Sequence, residues 1–165
     1  MKEYPTLPSP YLGYLFCVVF IGYEFLLSDV SNELAIRLAI ALFGWVYYLY
    51  IVYTIHEVVE IRYTHRYDVS PTKATFLHLV PIYNFYWLYK WPTKLFDYIT
   101  SREGRGFFNQ QMVVALILGG PLLSRFDFAV GYACTTTGLL LLMNGMKELI
   151  QIPDPDAKPL IYTRV

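Results

Sequence analysis

The chain has 165 residues, one domain's worth, and its 13 Lys and Arg balance 13 Asp and Glu, so no basic field exists to attract nucleic acid. Charged residues make up 16% against 56% hydrophobic, where a soluble domain carries about 25% charge, and this excludes an ordinary water-facing surface. An 18% aromatic content, with 16 Tyr and 3 Trp, suits membrane interfaces, and Cys17 and Cys134, both inside apolar runs, read as small packing residues rather than a disulfide or zinc framework.

In chain order, residues 1–10 form a proline-rich tail with Lys2, Pro5, Pro8 and Pro10. The apolar run that follows is longer than a secretory h-region and has no Ala-x-Ala site, so it reads as a retained anchor. That first segment, 11–28, is interrupted only by Glu24, and Asp29, Ser31, Asn32 and Glu33 then supply a turn and a helix start. Residues 34–55 hold a single charge, Arg37, and would cover roughly 33 Å as helix, enough to cross a bilayer. Val58, Val59 and Ile61 recur among the charges of 56–68, so this helix is expected to run past the bilayer and stop ahead of Pro71.

Residues 74–89 are uncharged and mostly apolar, but Pro81 and Asn84 break them, and as straight helix they would reach only roughly 24 Å against a hydrocarbon core of roughly 30 Å. The segment is therefore expected to dip into the membrane and return. After Trp91 and Pro92, residues 93–98 resemble an interfacial helix that ends at the Gly104 and Gly106 loop. Residues 107–123 form a third crossing that ends at Pro121, and 128–146 form the last, followed by a tail over 152–165 with Pro153, Pro155 and Pro159.

Cation placement favours the re-entrant reading. With four crossings, Lys2, Arg62, Arg66, Lys73, Lys90, Lys94, Arg102, Arg105, Lys147, Lys158 and Arg164 share one face and only Arg37 and Arg125 lie opposite. Five crossings would split the same residues far more evenly, against the positive-inside rule. The expected fold is thus an all-α membrane protein with four transmembrane helices, a proline-broken re-entrant segment at 74–89 and both termini cytoplasmic. Five transmembrane helices are the alternative.

Few residues offer chemistry. Glu24 and Arg37 lie at similar depth on neighbouring segments and read as an intramembrane charge pair. His56 and His78 are candidate axial ligands for a haem, but no Cys-x-x-Cys-His motif accompanies them, and hydrogen-bonded histidines in polar pockets are the simpler reading. At the helix break, Pro81 frees backbone groups that Asn84 can cap, while Lys90 and Trp91 are expected at headgroup level. Gly131, Gly138 and Gly145, with Cys134 and Thr135 on the same stripe, form a packing surface for another helix of this chain or of a second subunit.

The Ser70-Pro71-Thr72-Lys73-Ala74 entry and the downstream Pro81, Asn84, Tyr86 and Trp87 run resemble a motif of uncharacterised bacterial multi-pass membrane proteins. The likeness covers about a fifth of the chain and implies a bacterial inner membrane. No Gly-x-Ser-x-Gly, His-Glu-x-x-His or paired intramembrane aspartates point to catalysis. The expected function is a small non-catalytic membrane subunit, without cofactor, that binds other membrane proteins or copies of itself. A small oligomeric channel or transporter, its pathway lined by the broken segment, is the alternative.

Overall fold

The computed structural model describes residues 4–26, 33–63, 67–104, 106 and 109–153. Six helices and no strand are present among them: α1 (Pro10–Leu26), α2 (Glu33–Arg62), α3 (Pro71–Phe76), α4 (Tyr83–Glu103), α5 (Gln110–Leu123) and α6 (Phe128–Gln151). The protein is all-helical, as its composition predicts. One stretch among the described residues, Leu38–Arg62 of α2, is long and apolar enough by length and composition to cross a bilayer, rather than the four expected. α1 and α5 are apolar but short, with 17 and 14 residues.

Local chemistry sets the helix ends. Ser70 caps α3 by accepting the Lys73 amide at 3.3 Å, with Pro71 at the first helical position, where its missing N–H costs nothing. Asn109 and Asp127 cap α5 and α6 in the same way, accepting the Met112 and Val130 amides at 3.2 and 3.1 Å. Gly104 ends α4 in the left-handed region at φ 68°, a conformation that a side chain would strain.

Several sequence expectations are corrected. Residues 93–98 are not a separate interfacial helix, because α4 runs unbroken through Pro92. Pro121 lies inside α5 rather than ending it, α5 begins at Gln110, and α6 continues past Met146 to Gln151. Trp91 is not a headgroup anchor but is fully buried. Arg62, placed among the cations of one membrane face, ends α2 with its side chain out of solvent. The side chains of Glu24 and Arg37, and residues 1–3 and 154–165 of the tails, lie outside the described residues.

The core lies toward the C-terminal ends of the helices. Ile51, Val52, Ile55, Val58 and Val59 of α2 repeat at helical spacing and meet Trp87, Trp91, Leu95 and Ile99 of α4, with Leu142, Met143, Met146 and Leu149 of α6 completing the cluster. The α5–α6 pair packs backbone to backbone. A Cβ added to Gly131 would sit 2.5 Å from the Gly120 carbonyl oxygen, and one on Gly138 would sit 3.0 Å from Ile117 and Leu116. Gly131 and Gly138 of the stripe are therefore consumed inside this chain, while Gly145 is buried and Cys134 half-buried.

α3, the link 77–82 and α4 form a hairpin. It starts beside the end of α2, where Asp68 pairs with Lys94 of the returning limb, and Trp87 Nε1 donates to the Ala74 carbonyl across the limbs at 2.8 Å. Its turn reaches Tyr48, whose hydroxyl meets His78 at 2.8 Å, and from Arg62 back to Tyr48 is about 21 Å of helix. α4 then returns until Glu103 meets Arg62. At the turn, Ile82 adopts φ 66° and ψ −50°, and the Tyr83 amide donates to the Pro81 carbonyl at 2.7 Å, which makes a γ-turn that is strained for a β-branched residue.

Candidate functional site

Three features follow along the hairpin from one end of the bundle to the other. At the end where α2 and α4 finish, Arg62 Nε donates to Glu103 Oε1 at 2.9 Å, with the two side chains 0% and 5% exposed. Arg62 Nη1 and Nη2 donate to the Ile152 and Pro153 carbonyls at 3.2 and 3.3 Å, and the Tyr63 hydroxyl donates to the same Glu103 oxygen at 2.8 Å. One planar guanidinium thus ties together the C-terminal ends of three helices, a task that its fork of donors suits and that the point charge of lysine would not.

From this clamp a file of rings runs inward. Tyr63, Tyr98, Tyr67, His56, Trp91, His78 and Tyr48 follow one another with neighbouring centroids 4.9–6.1 Å apart. Such tilted and edge-on pairs are the preferred aromatic geometries. Tyr67 lies outside the candidate span, and burial first, then the Asp68 carboxylate and Tyr98, hold its phenol above its ordinary pKa.

Both sequence-flagged histidines belong to this file, and both rings meet Trp91. His56 and His78 each place Nδ1 on a carbonyl one turn earlier, Val52 at 2.8 Å and Ala74 at 2.9 Å. His78 Nε2 is engaged by Tyr48, whereas the buried His56 Nε2 has no partner. Haem ligation needs both Nε2 atoms and a porphyrin's width between the rings. Here one of those atoms is occupied and the fully buried Trp91 packs against both imidazoles, so the haem expectation does not fit this geometry. No cluster of three or more potential metal-ligating side chains occurs among the described residues.

Beyond Tyr48 the file opens into a cavity of about 650 Å³, within the usual range for ligand pockets. Its walls come from the first half of α2 (Leu38, Leu42, Trp45), the start of α4 (Asn84, Phe85, Leu88), the end of α5 and the start of α6 (Gly131, Tyr132, Thr135). Among the described residues no acidic side chain lines it, and the one cation that does is Arg125 on the exposed turn between α5 and α6. Asn84 does not cap the break: the N-cap position of α4 is Ile82, without a side-chain bond, and Asn84 Oδ1 is buried with no partner. Lys90 is exposed and stands apart from the cavity.

The sequence singled out Asn84, His56 and His78 but missed Arg62, Glu103, Tyr48 and Arg125 as members of a connected interior. The adjacent Gly119, Gly120 and Pro121 were a usable signal for the tight α5–α6 contact. No known protein family, curated protein or solved structure matches the chain.

Proposed function

We propose that the chain is a small non-catalytic integral membrane subunit that binds other membrane proteins, with α1, α2, α5 and α6 crossing the bilayer and the α3–α4 hairpin re-entering from the cytoplasmic face of a bacterial inner membrane. Support for the bilayer comes from an apolar exterior that water would not tolerate. Tyr14, Leu15 and Val18 of α1, Leu38, Leu42, Phe43 and Val46 of α2, and Phe76, Phe85 and Tyr86 of the hairpin are all exposed. Arg125 lies at the opposite end from the Arg62 clamp, in keeping with cations gathered on one side.

The observation that carries the subunit reading is the exposed break in the hairpin. Residues 77–82 are irregular, Ile82 is 87% exposed, and the Val80 and Ile82 amides make none of the backbone bonds that tie down their neighbours. Irregular backbone at membrane depth is tolerated where protein or a water-filled cavity covers it, not where lipid does. A neighbouring membrane protein laid over this turn supplies the cover. The channel reading gains less, because the cavity stops at Tyr48 and Leu88 and the fully buried His56 and Trp91 fill the interior beyond.

A photo-crosslinking amino acid at Leu79 or Ile82, with Val18 of α1 as comparison, tests this in native membranes. A discrete protein adduct at 79 and 82 that is absent at 18 is the expected result. Adducts to lipid alone at the hairpin turn would remove the case for a partner there.

A further inference from the structure

The hairpin turns back beside Tyr48, so in the half of the bundle toward the α5–α6 turn nothing from α3 or α4 fills the space between α2 and α6. That space is the cavity, floored by Asn84 and Leu88 and walled by Leu42, Trp45 and Tyr132. We propose that it binds one anionic phospholipid, with an acyl chain in the cleft above the hairpin turn and the phosphate paired with Arg125. The inference rests on the membrane reading given above.

Four observations commit the site to this occupant. The walls are overwhelmingly apolar and the volume is that of a ligand pocket, and an open cleft of this size surrounded by lipid fills with what surrounds it. Arg125 has no ion-pair partner among the described residues, and Asp127, its nearest acidic neighbour in sequence, is engaged in capping α6. No carboxylate among the described lining residues opposes a phosphate. Asn84 places a buried, unpartnered amide atom at the floor, and an amide can turn either end there to meet the hydroxyl or ester group of a lipid. Arg125 at the mouth and apolar walls behind it match the head-to-tail polarity of a single lipid molecule.

The test uses the full chain purified in a lipid-free detergent and then given phosphatidylglycerol or phosphatidylcholine, with retained lipid counted by native mass spectrometry. One phosphatidylglycerol per chain should be held in preference to phosphatidylcholine by about fivefold, the size of one basic side chain's attraction for an anionic lipid. R125Q should abolish the preference, while K147Q, at an exposed position toward the far end of α6, should keep it. A41F, which fills the cleft from α2, should lower retention of both lipids at least tenfold, and if A41F does not fold, the R125Q and K147Q comparison decides alone. Equal preference in R125Q and wild type, or lipid-free dimers in place of lipid-bound chains, overturns the proposal. Extraction of the chain from cells without detergent would instead overturn the membrane reading, so the two failures are distinguishable.

Discussion

Glu103→Gln isolates the clamp at the end of the bundle. The substitution keeps the size of the side chain and one acceptor for Arg62 Nε and the Tyr63 hydroxyl, but it removes a carboxylate charge bonded to a guanidinium with no solvent exposure. Removing one partner of a buried pair costs about 3–5 kcal/mol, and the Ile152 and Pro153 carbonyls, which remain, place this case at about 3. For a chain of this size each kcal/mol moves the midpoint by roughly 2–4 °C, so the thermal unfolding midpoint in detergent micelles should fall by about 6–12 °C. Fluorescence of the buried Trp87 and Trp91, which sit in the core further back along α4, reports the transition. Replacing both partners with methionine leaves no uncompensated charge, so the double variant should lose less than the sum of the two single methionine variants. A midpoint within about 1 °C of wild type for Glu103→Gln, or simple additivity in the double variant, would refute the assignment of a buried, coupled pair.

The two histidine sites should respond differently. Tyr48→Phe strips His78 Nε2 of its partner and should cost about 1–2 kcal/mol in the same unfolding assay, whereas His56→Leu removes an atom that has no partner and should be neutral or stabilising. Equal losses from both would mean that His56 is satisfied. Gly131→Ala drives a methyl into the Gly120 carbonyl and the Ser124 backbone and should cost at least about 2 kcal/mol despite alanine's better helix propensity. Gly22→Ala on α1 meets nothing within 4 Å and should gain about 0.5–1 kcal/mol, so similar effects of the two alanines would argue against the close α5–α6 contact.

What the sequence made legible depended on how local the cause was. The long apolar run of α2 and the break at Pro81 follow from composition and from proline's missing donor, and both stand in the structure. Pro92 was misread for the same local reason, since a proline inside a helix reads as a terminator. Here Trp91, Pro92, Leu95 and Phe96 are all buried, and packing holds the helix through it. Arg62 sits among Glu57, Glu60 and Arg66 and reads as one more charge on a polar helix extension, because its counter-ion is 41 residues away and its carbonyl partners are 90 and 91 away. Asn84 was flagged by residue type alone, but the cavity it faces is assembled from four helices, and no window of sequence contains that geometry.

The Arg62 clamp also orders events during synthesis. Its acceptor on α4, Glu103, is made tens of residues after it, and the Ile152 and Pro153 carbonyls come later still, beyond the whole of α6. Until that last helix is in place the guanidinium can stay hydrated, and only its arrival makes desolvation favourable. Assembly of this end is thereby deferred to the completion of α6, so chains that stall earlier carry an open, charged end.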